Sequence, residues 1–222
     1  MTGSILTTNV KGHVGIKYGR VLNNGILVPD ELTGKVALDK YNAVHNRNMA
    51  ALIARGLSNT DTSPVGTHQI FALALGNGGS SVDSMNQITY LPPNVSDPNA
   101  RLYNQTYLEQ VDEQQASTPA ANSVTYQQST TDNTSIVIIT ATIAAGEPIG
   151  QDLTDTPPSP DFNTQPFAFD ELGLFSYGTN GTFTSTDVPS DSMLLTHIIF
   201  SPILKTANRE LVLTYTLTIG VS

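Results

Sequence analysis

The stretch Glu210-Leu-Val-Leu-Thr-Tyr-Thr-Leu-Thr-Ile219 alternates without a fault. Leu211, Leu213, Tyr215, Leu217 and Ile219 fall on one side of an extended chain, and Val212, Thr214, Thr216 and Thr218 fall on the other. This two-residue period predicts an antiparallel strand with one face on a core and one face wetted. Working outward, residues 135–143 (SIVIITATI) are rich in β-branched side chains and read as a second strand. Residues 68–75 (HQIFALAL) set Ile70, Ala72 and Ala74 against Phe71, Leu73 and Leu75, the pattern of a strand buried on both sides. Residues 124–128, 167–176 and 193–200 are further strand candidates, with weaker ones at 87–91 and 101–108, separated by Pro92-Pro93 and Asp97-Pro98.

With no βαβ rhythm and no internal repeat, these runs predict a mainly β chain with an antiparallel β-sandwich or jelly-roll-like body. The amino-terminal quarter differs. The pair Asn24-Gly25 has the chemistry of a two-residue hairpin turn, and Gly12, Gly15 and Gly19 punctuate what precedes it, so an extended arm or small hairpin is expected. Leu38, Tyr41, Val44 or His45, Met49, Leu52 and Ile53 recur at helical spacing, predicting one α-helix over 38–55 that ends at Gly56. The expected division is residues 1–60 as arm, hairpin and helix, and residues 61–222 as the sandwich domain.

Composition narrows the function. Charged residues make up 13% of the 222, while Ser, Thr, Asn and Gln number 18, 28, 17 and 10, so uncharged polar groups do most of the solvating. Neither a disordered chain nor a coiled coil has this composition. The absence of Cys removes disulfides, thiolate metal sites and cysteine nucleophiles together. No run of 18 apolar residues and no signal-peptide pattern is present, which leads to the expectation of a soluble protein folded in a cytoplasm.

The net charge of -9 is unevenly spread. Residues 1–55 carry Lys11, Lys17, Arg20, Lys35, Lys40, Arg47 and Arg55 against Asp30, Glu31 and Asp39, whereas no Lys or Arg lies between Arg101 and Lys205. So acidic a body repels polyanions, and nucleic acid is not an expected partner. The basic quarter reads first as neutralising the acidic remainder of the same or a neighbouring copy, and second as docking onto an acidic protein surface. The seven basic residues, with Asp152, Asp155 and Asp161 in a proline-rich loop at 146–166 and with Asp170 and Glu171, are accordingly the candidate protein-interface residues.

Chemistry-bearing motifs are thin. His13, His45, His68 and His197 lie far apart with no metal-ligand spacing, and each reads as structural. Gly76-Asn77-Gly78-Gly79-Ser80-Ser81 follows a strand as a phosphate loop does but has no Lys, so it reads as a flexible connector. Asp170-Glu171 offers adjacent carboxylates, yet neighbours in a strand point to opposite faces, which leaves at least one facing outward or towards another subunit. Asp152, Asp155 and Asp161 lack the ligand order of a calcium loop. No metal or cofactor is expected. With no Trp and few aromatics, a carbohydrate-binding module is a remote reading.

Five segments taken in order carry a resemblance: IFALALGNGGSS (70–81), RLYNQTYLEQV (101–111), SIVIITATI (135–143), FAFDELGLFSYGTNGTFTS (167–185) and LLTHIIFSPILKTANRELVLTYTLTI (194–219). The first four resemble the amino-terminal region of phage tail-collar fibre proteins, in which an EIGLFD motif before a glycine turn is common. The last looks like the final strands of tailed-phage virion structural proteins. The chain departs from the fibre pattern by stopping after the sandwich, with no shaft and no receptor-binding tip. The resemblance implies a non-enzymatic virion subunit of the neck, tail or baseplate, a connector or fibre adaptor. Such a subunit assembles in the bacterial host cytoplasm with copies of itself and other virion proteins. A capsid decoration protein is the alternative.

Overall fold

A computed structural model describes residues 7–23, 26–28, 34–58, 70–85, 87–111, 122–147, 167–177, 188, 192–206 and 209–221. The period-two stretch forms the long strand β12 (Arg209–Val221), the last of twelve strands among the described residues. The others are β1 (Thr8–Asn23), β2 (Ile26–Val28), β3 (Val36–Val44), β4 (Ile70–Gly76), β5 (Ser80–Val82), β6 (Ile88–Tyr90), β7 (Gln105–Gln110), β8 (Ser123–Gln128), β9 (Thr134–Ile143), β10 (Phe167–Ser176) and β11 (Leu194–Lys205). Among the described residues one α-helix, α1 (Asn46–Ser58), completes the set. The protein is mainly β, as its alternating runs predict.

Ten strands join in one antiparallel sheet, ordered β7-β4-β10-β11-β3-β1-β12-β9-β8, with β2 paired to β1 off that path. The sheet curls so that its two halves face each other, a sandwich-like body. Val14, Ile16, Ile139, Leu211, Leu213, Tyr215 and Leu217 from one half meet Leu73, Leu75, Phe169, Leu172, Leu174, Leu195 and Phe200 from the other in the main core. Each such side chain contributes about 1.5–3 kcal/mol by leaving water. On β12 the reading holds in its centre, with Leu211, Leu213, Tyr215 and Leu217 buried and Thr214 exposed, while Val212, Thr216 and Thr218 on the expected wet face and Ile219 on the expected core face are all half-buried. β4 is buried on both sides, its Leu73 and Leu75 in the main core and its Phe71, Ala72 and Ala74 in a second, outer one. Phe71 and Ala72 share a core because the pairing with β10 skips Phe71, a bulge that breaks the alternation.

The amino-terminal residues enter the sheet itself. β1 pairs with β12 from Thr8 to Tyr18 on one side and with β3 from Gly12 to Lys17 on the other, and its end pairs with β2 as a hairpin. The turn residues Asn24 and Gly25 lie outside the described residues. The glycines that punctuate β1 in the sequence therefore do not all turn the chain. A Cβ at Gly12 would collide with the Asn42 side chain on β3, so glycine there permits a close neighbour within a continuous strand.

The expected helix over 38–55 is corrected in both its ends. Residues 36–44 are strand β3, whose backbone pairs with β1 from Val36 to Asn42 and with β11 at Ala43 and Val44. Long-range pairing overrides a helical spacing that Leu38, Tyr41 and Val44 happen to satisfy. His45 then starts the helix, its Nδ1 accepting the Asn48 amide at 3.2 Å in the manner of a capping side chain. Gly56 does not end the helix, which continues to Ser58; among the described glycines only Gly34 and Gly146 have positive φ.

Where the curl brings β7 against β9, side chains substitute for strand pairing. Asn122 donates from Nδ2 to the Gln110 carbonyl (2.9 Å) and accepts the Thr142 amide on Oδ1 (3.0 Å). The Tyr107 hydroxyl lies between the carboxylates of Glu109 and Glu147, and burial pushes the Glu109 carboxyl above its usual range. Lys205, fully buried, donates to the carbonyls of Ala144 (2.9 Å) and Thr206 (3.2 Å), and burial lowers its ammonium pKa to about 8.

Candidate functional site

The residues between β4 and β7 form a third layer outside the β7-β4-β10-β11 half, comprising the β5–β6 hairpin and an irregular stretch at 91–104. Two adjacent carboxylates hold it down. Asp170 and Glu171, 3% and 0% exposed, sit where the β10–β11 register shifts, with Asp170 facing three residues of β11, Phe200 to Pro202. Phe169 and Leu172 on either side both enter the main core, and the two acids between them both face the outer layer. The expectation that they diverge, one of them outward, is therefore overturned by a bulge.

Asp170 accepts the amides of Gly79 (2.9 Å) and Ser80 (2.9 Å) and the Ser80 hydroxyl (2.5 Å). Glu171 accepts the amides of Gly78 (3.1 Å), Tyr103 (2.9 Å) and Asn104 (2.7 Å) and the His197 ring at 3.1 Å. The Asn94 amide donates to Nδ1 of that ring (2.8 Å), so Nε2 carries the proton and donates to Glu171. Burial pushes the Asp170 carboxyl above its usual range, with the Ser80 and Gly79 bonds pulling the other way.

The glycine turn thus does gather an anion on its backbone amides, but the anion is the chain's own. The expected flexible connector is a pinned one. A Cβ at Gly78 would lie 2.6 Å from the Asn104 amide nitrogen, so only glycine lets the two arms of the layer close on Glu171.

Further bonds fix the stretch at 91–104. The His45 ring, 1% exposed, donates from Nε2 to the Asp97 carbonyl (2.7 Å), and Asn48 Nδ2 donates to the Pro98 carbonyl (3.4 Å) and to the Leu194 carbonyl of β11 (2.9 Å). Arg101 donates to the Ser192 carbonyl (2.6 Å) with its guanidinium over the Phe175 ring. Ala100 and Leu102 pack with Phe71, Phe175, Tyr177 and Leu194 in the outer core.

Among the polar residues this layer shows to solvent, such as Ser81, Asp83, Gln87, Thr89 and Asp97, stand six large apolar ones: Val82, Met85, Ile88, Tyr90, Leu91 and Tyr103 are exposed, from 41% to 72%. Two of the rings are held by their hydroxyls, Tyr90 against Ser201 Oγ (2.8 Å) and Tyr103 to the Pro92 carbonyl (2.8 Å). Beside them is a cavity of about 300 Å³ lined by Lys40, Tyr90, Leu91, Pro93, Ile199, Phe200 and Ser201.

The basic residues do not converge on one patch. Lys11 and Lys17 are exposed on the outer face of β1, with His13, which pairs with Asp39 at 2.9 Å. Lys40 is on the opposite face of its strand, opposite the buried Val14, and its Nζ donates to the Ile199 carbonyl at 3.2 Å. Lys35 is exposed before β3, Arg47 is exposed on α1, and Arg55 is half-buried with its guanidinium 3.9 Å from Met193 Sδ. Arg20 lies in β1, and its side chain, like Asp152, Asp155, Asp161 and His68, is outside the described residues.

Among the described residues no group of three or more His, Asp or Glu is placed to hold a metal ion. Of this layer the sequence reading finds only β6, inside the weak candidate at 87–91; β5, three residues long, is too short for a period to register. Compared with protein-family models, curated proteins and solved structures, the chain matches none.

Proposed function

We propose that this protein is a structural subunit of a tailed-phage virion, a connector or fibre adaptor of the neck, tail or baseplate that acts by protein–protein docking and catalyses no reaction. The observation that carries this reading is the outer layer: a row of exposed apolar side chains on a hairpin and loop locked by two buried carboxylates. Exposed apolar groups that are contiguous mark contact surfaces, and rigid aromatic side chains lose little entropy on docking. A cysteine-free chain suits assembly in a reducing bacterial cytoplasm, and a broad β body suits repeated contacts between copies.

The test is to label the chain on particles purified from the virus whose genome encodes it. Label at the neck, tail or baseplate is the expected result, and label over the shell would favour the capsid decoration role. Particles that lack the chain altogether would end the virion reading. The exposed rings of Tyr90 and Tyr103 give a carbohydrate-binding reading its one observation, and a glycan array probed with the purified protein and showing no binding removes it.

A further inference from the structure

We infer that the cleft between β3 and β11 binds an acidic, proline-flanked segment of a second copy of this chain. The inference rests on the assembly reading above and names the partner and the contact. β3 and β11 are paired only through Thr196↔Val44 and His197↔Ala43, after which the two strands part. The cavity of about 300 Å³ opens where they part. It is lined by Tyr90, Leu91, Pro93 and Phe200, and its one cationic side chain is Lys40.

Lys40 uses one of its three N–H groups on the Ile199 carbonyl, and among the described residues no carboxylate pairs with it. An ammonium at the edge of an apolar, aromatic hollow suits an anionic group carried on a chain that itself packs on rings. Proline-rich segments dock in aromatic-lined grooves because they are extended beforehand and lose little freedom on binding.

The sequence contains such a segment. Residues 152–161 (DLTDTPPSPD) combine Asp152, Asp155 and Asp161 with Pro157, Pro158 and Pro160, in a window from 102 to 204 that has no cation to repel Lys40. An extended segment advances about 3.1 Å per residue, so the cavity takes two or three residues of it, a carboxylate and an adjacent proline. The uneven charge of the chain then acts between copies, basic strand to acidic segment.

The test uses the full chain and a fluorescent peptide of residues 151–163, followed by anisotropy at low salt. Saturable binding is expected, weakened about tenfold by Lys40→Glu and preserved by Lys40→Arg, since a reversed charge at a half-open ion pair costs about that much. A peptide with its three Asp replaced by Asn leaves the protein untouched and is expected to bind about as weakly as the variant. Absence of saturable binding, or binding at the wild-type level by the Lys40→Glu variant and by the Asn peptide, overturns the inference. Occupation of the cleft by the segment of the same copy excludes the peptide and also overturns it. A chain that fails this test yet is found in the particle leaves the assembly reading standing, whereas a chain absent from the particle defeats that reading whatever the peptide does.

Discussion

Glu171 has no exposed atom and takes four donors, three of them backbone amides. Glu171→Ala leaves those donors in a dry space and is expected to cost about 3 kcal/mol or more, read as a lower midpoint in urea unfolding. The amides of Gly78, Tyr103 and Asn104 should also exchange with solvent faster than those of the sheet. A loss under about 0.5 kcal/mol would mean the carboxylate is not what pins the layer. Little of this was legible beforehand. The adjacent acids and the glycine turn both stood out as sequence features, but their link spans 90 or more residues, and strict alternation argued against their convergence. Only the bulge, set by three residues on β11 opposing one on β10, brings them together. Lys205 gives a second prediction. Its pKa is about 8 in the folded protein against 10.5 for a free lysine, so above pH 8 the native state releases a proton that the unfolded chain retains. Stability from this group is therefore low below pH 8, rises with pH, and is complete above 10.5. Urea unfolding of the wild type and of Lys205→Met from pH 7 to 9.5 should show a gain of about 1–2 kcal/mol in the wild type alone. Parallel curves would contradict the buried ammonium.

At the scale of elements, the strands with strong periods were read correctly and those that depend on partners were not. β12 and β9 carry most of their burial pattern in their own residues. β1 is a single strand of 16 residues whose glycines looked like turns, because the close approach of Asn42 that Gly12 permits is a property of the neighbouring strand. β3 passed for helix for a similar reason, its pairing partners being remote in sequence. Within α1, Gly56 has open space where a Cβ would sit, so Gly56→Ala is expected to stabilise the protein by about 0.5–1 kcal/mol, seen as a higher melting temperature. An unchanged or lower value would indicate that the last turn is not helical in solution. The β5–β6 hairpin separates folding from docking. Met85→Asp and Ile88→Asp alter side chains that are 72% and 44% exposed, so each should shift stability by no more than about 0.5 kcal/mol. Each should nevertheless exclude the protein from assembled particles. Incorporation at the wild-type level by both variants would show that docking uses another face.

For the whole molecule, composition and charge gave the class of architecture and the direction of the functional reading. The mainly β body follows from the alternating runs. The curl of one sheet into two facing halves, and its closure by Asn122, Tyr107, Glu109 and Lys205, depend on which strand lies next to which, and no local pattern contains that information. The basic quarter is likewise not the separate patch that its sequence suggests, since Lys11 and Lys17 share one face of the sheet while Lys40 reaches across a cleft on the other. The account stands on the claim that this surface exists to hold other protein molecules. The most direct measurement is the mass of the purified chain by light scattering, alone and mixed with the structural proteins of its own virus. Masses of a defined oligomer or of a stable mixed complex are predicted. A chain that remains monomeric at every concentration and binds none of those proteins would contradict it.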